Sequence, residues 1–134
     1  MKVLLDTGPL VALLNRRDSF HRWSVEQAGR LKPPFHTCEA VLTEAHFLLA
    51  GVPMGRERLL QLTSSGRLDL SYSYQNHRSR VKDLLLQYGN VPISFADACL
   101  VSKAEELGGT VFTLDSDFHI YRKHRDQPLP AIMP

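Results

Sequence analysis

Cysteine is scarce in this chain. Cys38 and Cys99 are the only two among 134 residues, and no CxxC pair occurs. That argues against a disulfide framework or a structural zinc site and for a reducing, intracellular setting. Long apolar runs are missing too: none approaches the roughly 20 residues that a membrane helix needs. Met1-Lys2 leads straight into a short apolar strand with no secretory n- and h-region, so the expected location is cytoplasmic, with no membrane partner. There is no GxxxxGK[ST] and no GxGxxG, which argues against a nucleotide-driven kinase or ATPase. The six histidines have neither the spacing of a zinc site nor an evident nucleophile partner, which sets Ser–His hydrolysis aside. Charge of one sign is lacking as well, since a net +2 is too small to predict a nucleic-acid partner by itself.

What is there reads as one globular domain, 1–134, with 43% apolar and 22% charged residues and enough chain to bury a core. The first nine residues, MKVLLDTGP, organise the rest. Val3-Leu4-Leu5 is too short for a helix and apolar enough for a buried strand. Asp6 follows at once, and Gly8-Pro9 signals the helix that carries Leu10, Val11, Leu13 and Leu14. Ser19 is expected to cap a second helix running to about Leu31, with Phe20, Trp23, Val25 and Ala28 on its apolar side. A short strand over Phe35–Cys38 enters an apolar helix from Ala40 to Ala50, ended by Gly51 and Pro53. A helix over Glu57–Ser64 and an edge strand over Leu68–Tyr72 follow. The next helix spans about Gln75 to Tyr88, with Arg78, Arg80 and Lys82 outward, and Pro92-Ile93-Ser94 opens another that reaches Leu107. Thr110–Leu114 is a β-branched buried strand, and Ile132 marks a last one. Helices alternating with short strands predict a three-layer α/β/α sandwich around a mostly parallel five-stranded sheet.

The carboxylates carry the chemistry, and each has an ordinary structural role beside the functional one. Asp6 suits a helix cap or Asx-turn. Asp97 completes Ser94-Phe95-Ala96-Asp97, the [ST]xx[DE] pattern of a capping box. Asp115 and Asp117 fit a turn. Glu44, counted at 100° per residue, falls with Val41 and Leu48 on the core side of its helix, where an unpaired carboxylate is costly. Their joint arrangement matters more. In a parallel sheet the carboxyl ends of the strands share one side, so Asp6, Asp97 and Asp115 are expected to converge there, with Glu44 reaching in. Such a cluster repels itself without a counter-charge, and oxygen-only ligands suit Mg²⁺ or Mn²⁺. The chemistry that follows is phosphoryl transfer, with one or two ions activating water.

These segments resemble PIN-domain ribonucleases, in particular VapC-type toxins. The resemblance runs through LLDTGPLVAL, VLTEAHFLL, ISFADACL and TLDSDF, covering nearly the whole chain. It implies an acidic quartet of Asp6, Glu44, Asp97 and Asp115, with Asp117 at a further acidic metal position. Thr7, Ser94 and Thr113 fall at the small hydroxyl positions beside them. It also implies a mostly parallel five-stranded sheet with helices on both sides, and Mg²⁺- or Mn²⁺-dependent RNA cleavage. A protein antitoxin and a homodimer are frequent in the family.

An RNA substrate calls for basic residues near the acids, and two groups offer themselves: Arg16, Arg17 and Arg22, and Arg122, Lys123 and Arg125. Both also suit an ordinary solvated surface. Tyr72, Tyr74 and Trp23 are candidates for base stacking or for the core. Three other readings stand beside the toxin: a non-toxin RNA-processing nuclease, a non-catalytic metal- or RNA-binding partner of the same fold, and a phosphoacceptor domain. The last wants paired early acids and a late lysine, whereas Asp6 stands alone and Asp115 sits where the lysine belongs.

Overall fold

The computed structural model describes all residues, 1–134. Its elements are β1 (Val3–Leu5), α1 (Thr7–Leu14), α2 (His21–Arg30), β2 (Phe35–His36), α3 (Glu39–Leu48), α4 (Gly55–Ser64), β3 (Leu68–Asp69), α5 (Tyr74–Gln87), α6 (Phe95–Leu107), β4 (Thr110–Phe112), a 3-10 helix (Ser116–His119), β5 (Arg122–Lys123), β6 (Gln127–Pro128) and β7 (Ala131–Ile132). The main sheet has five strands in the order β3-β2-β1-β4-β7, and every neighbouring pair is parallel. The expected α/β sandwich is therefore present. Unexpected is a separate antiparallel hairpin, β5–β6, with Arg122 opposite Pro128.

β1 is an unbroken apolar run because it is central: Val3, Leu4 and Leu5 are all buried, and Leu5 lies opposite Phe112 of β4. The path β1→β2→β3 moves outward on one side, while β3→β4 jumps back across the sheet. Right-handed crossovers then place α1–α4 over one face and α5–α6 over the other. From β1 the chain leaves toward β2, and from β4 it leaves toward β7. The crevice between the carboxyl ends of β1 and β4 is thus the switch point at which open α/β sheets bind ligands.

Three local expectations are corrected. Ser19 does not cap α2: the N-cap is Phe20, without a side-chain bond, and Asp18 holds the turn by accepting from Phe20 N at 2.8 Å. Phe20 and Val25 are exposed, since only the Trp23 and Ala28 side of α2 meets the core. Arg80 does not point outward. It reaches across to α6, where its Nε donates to Glu105 Oε2 at 2.9 Å.

Candidate active site

A cavity of about 600 Å³ opens at the switch point, and Asp6, Glu44, Asp97 and Asp115 all line it, with Thr7 and Ser94. Each acid gets there through an element boundary. Asp6 ends β1 and is the N-cap of α1, accepting from Thr7 N at 2.8 Å. Asp115 follows β4 and is the N-cap of the 3-10 helix, accepting from Asp117 N at 2.9 Å. Asp97 stands at N3 of α6 in a complete capping box with Ser94. The ordinary role and the cavity-lining position coincide in all three, because backbone N–H groups at helix starts favour carboxylates just where the parallel sheet gathers its carboxyl ends.

Glu44 is the exception and the correction. It is exposed, as is Leu48, while Val41 and Ala45 carry the core face of α3. The core face of α3 is centred on Val41 and Ala45, and Glu44 and Leu48 stand at its edge, where the helix borders the cavity. Thr7 Oγ1 donates to Glu44 Oε1 at 2.7 Å and fixes the carboxylate there. Asp117 does not line the cavity; it lies one step along the 3-10 helix.

Hydroxyls hold the remaining acids. Thr113, fully buried, donates to Asp6 Oδ2 at 2.7 Å and accepts from Asp115 N at 2.9 Å. Tyr121, also fully buried, donates to Asp97 Oδ2 at 3.1 Å. Burial pushes the Asp6 carboxyl up to about 7, with the charges of Asp97 and Asp115 adding to it and the bonds from Thr113 and Thr7 opposing it. Burial raises Asp97 as well, opposed mainly by the Tyr121 hydroxyl.

No cation of the chain answers this charge. The ion pairs join Arg22–Glu26, His36–Asp69, His77–Glu106, Arg80–Glu105, Lys103–Asp69 and Arg125–Asp83, and none touches the four acids. As the side chains stand, no three acids converge closely enough to hold an ion. The donor set nevertheless fits a hard divalent cation: oxygens only, negative charge in excess, and a desolvated carboxylate that lacks a counter-ion.

The basic candidates are spread around the surface. Arg16 and Arg17 are exposed in the loop after α1. Arg22 pairs with Glu26 on its own helix at 3.2 Å, and Arg125 with Asp83 at 3.8 Å. Arg122 donates to the His119 carbonyl at 2.6 Å, and Lys123 is half-buried on β5. Of the aromatic candidates, Trp23 belongs to the core, edge-on to Phe112 with ring centroids 5.6 Å apart. Tyr72 stacks on His77 at 4.7 Å. Tyr74 alone stays open.

Two residues escaped the sequence reading. Tyr121 carries no local signal, because its partner Asp97 lies on another element. Lys103 had one: it sits in Ala96–Ala104, where α6 is buried all round. Its ammonium donates to the carbonyls of Thr37 at 2.8 Å and Asp69 at 3.0 Å, and burial lowers its pKa.

A parallel five-stranded sheet with acids lining a cavity at its switch point defines a class of open α/β folds, and the comparisons narrow it. Residues 3–123 match the PIN domain, and the chain belongs to that family. Its fold is similar to that of VapC20 of Mycobacterium tuberculosis, described as a sarcin-ricin loop cleaving toxin. The TM-score is 0.83 at 19% identity, covering 95% of this chain and 100% of that one. Comparison with curated protein sequences finds no match.

Proposed function

We propose that this PIN domain is a divalent-metal-dependent endoribonuclease and the toxin of a toxin–antitoxin pair. The observation that carries the reading is that Asp6, Glu44, Asp97 and Asp115 all line one cavity with no cationic side chain among its lining residues. The fold likeness to a toxin described as cleaving the sarcin-ricin loop supports the substrate class.

The four acids would hold Mg²⁺ or Mn²⁺, with Asp117 as a further candidate just outside. When bound, such a cation acidifies water and stabilises charge growing on the scissile phosphate. The chain's own contribution is positional. Thr113 fixes Asp6 and the backbone of Asp115, Thr7 fixes Glu44, and Ser94 and Tyr121 fix Asp97. With water rather than the 2′-hydroxyl as nucleophile, the products carry 5′-phosphate and 3′-hydroxyl ends.

A protein antitoxin, a homodimer and a cytoplasmic location belong to the same reading. Exposed Phe47 and Leu48 on α3 supply apolar surface for an association. No helix of the chain is long and apolar enough to cross a membrane.

The test is incubation of purified protein with total cellular RNA in Mg²⁺, Mn²⁺ or EDTA, beside Asp97→Asn, with end mapping. New 5′-phosphate ends that require both metal and Asp97 are expected. Ends bearing 2′,3′-cyclic phosphate would sink the mechanism, and no cleavage by folded, antitoxin-free protein would leave a binding role.

A further inference from the structure

The acidic cavity has an apolar neighbour. Glu44 and Ser94 line both it and a second cavity of about 480 Å³, floored by Cys38 and Cys99. At its side stand Tyr74 and Phe95, the first residues of α5 and α6, with ring centroids 5.1 Å apart and planes tilted by 53°. They are 47% and 46% exposed. Tyr72 forms a wall whose ring is already engaged by His77. Single exposed aromatics are ordinary, but two packed together at the rim of a cavity that adjoins the acidic cluster are not.

Tyr74 is also a shared wall. On its far side lies a third cavity, of about 450 Å³, lined by Arg78 and Lys82. Tyr74, Arg78 and Lys82 follow each other at i, i+4 and i+8, one face of α5. Both cations are exposed, and neither enters an ion pair. The surface therefore presents, in order, carboxylates suited to a metal and a phosphate, a pair of aromatic faces, and two free cations.

We infer that Tyr74 and Phe95 form a base-stacking subsite for single-stranded RNA beside the scissile phosphate, with Arg78 and Lys82 taking backbone phosphates beyond it. The inference rests on the ribonuclease reading of the acidic cavity. A polynucleotide offers these features in one nucleoside and the two phosphates that flank it. A protein segment would need a cationic end at the carboxylates and an anionic end at α5 joined by an apolar middle, which makes it the poorer match. Aromatic stacking tolerates any base, so this subsite supplies affinity and register rather than sequence choice.

The experiment is photo-crosslinking of a randomised 20-nucleotide single-stranded RNA pool carrying 5-iodouridine, in EDTA, with the crosslinked peptides read by mass spectrometry. Crosslinks are expected on the peptides that hold Tyr74 and Phe95. Tyr74→Leu and Phe95→Leu, checked for unchanged melting, should each weaken binding of the pool about 5- to 150-fold. Arg78→Gln and Lys82→Gln should each flatten the salt dependence of binding by about 0.7 in slope. Crosslinks confined to other peptides, with affinity indifferent to the leucine variants, overturn the subsite even if metal-dependent RNA cleavage persists; a protein side chain then becomes the occupant. Absence of both crosslinks and cleavage removes the ribonuclease reading, and the subsite with it.

Discussion

Thr113 joins Asp6 to Asp115 through a single oxygen: its hydroxyl donates to the Asp6 carboxylate at 2.7 Å and accepts the Asp115 amide at 2.9 Å. The side chain is fully buried at the end of the central strand pair, so neither bond is replaceable by water. Thr113→Val keeps the shape and removes both. We expect Mn²⁺ affinity, measured by titration calorimetry, to fall about 10- to 100-fold, with Thr113→Ser largely restoring it. Unchanged affinity in the valine variant would show that Thr113 does not set the carboxylate positions.

Asp6 makes stability depend on pH in a direction opposite to that of most carboxylates. Its pKa of about 7 in the folded protein exceeds the ordinary unfolded value, so the native state binds more protons between the two. The stabilising contribution is complete below about pH 4 and is lost as pH rises through 7. Its upper end is about 4 kcal/mol. Asp97, also raised, acts with the same sign. The metal-free protein should therefore melt at lower temperature at pH 8 than at pH 5, Asp6→Asn should flatten that dependence, and Mn²⁺ should restore the wild type at pH 8. A melting temperature that climbs with pH across this range would contradict the assignment.

Asp97 separates activity from folding. Asp97→Asn keeps a hydrogen-bonding side chain at N3 of α6 and a partner for Tyr121. RNA cleavage should fall at least about 100-fold, while the urea midpoint moves little. Ser94→Ala should behave in the reverse sense in the same two assays, costing about 1 kcal/mol of stability through the lost cap with a smaller effect on cleavage.

Lys103 is a structural brace between α6 and the ends of β2 and β3. Lys103→Met leaves the Thr37 carbonyl without its donor, while the Asp69 carbonyl keeps the bond from Thr37 N at 2.9 Å. A loss of about 2 kcal/mol in urea unfolding is expected from the one acceptor left unsatisfied. A neutral substitution would mean that water enters and replaces the ammonium.

The sheet and its order of helices were legible because buried parallel strands are written as short apolar runs and their helices as longer periodic ones. The switch-point acids were legible for the same reason, each standing next to such a run. Glu44 was misplaced because helical periodicity reports which residues share a face, not whether that face meets a core or a cleft. Ser19 was credited with a cap that α2 lacks: its N-cap is Phe20, one residue on, and Asp18 holds the turn before it, the usual size of error at a helix boundary. The β5–β6 hairpin, over Arg122–Pro128, has too few residues and too little alternation to register as strand. Tyr121 and Lys103 act through partners distant in sequence, which no local pattern encodes.

The double duty of Asp6, Asp97 and Asp115 as helix starters bears on how loss-of-function alleles should be read. An alanine at any of the three removes a ligand candidate and a helix start together. Under the proposed toxin reading, a survivor recovered from a toxicity selection with such an allele can thus owe its growth to low abundance of the protein rather than to a silent catalytic centre. Asparagine, which starts helices as well as aspartate does, separates the two causes. Immunoblotting of alanine and asparagine alleles side by side would tell a vanished protein from an inert one.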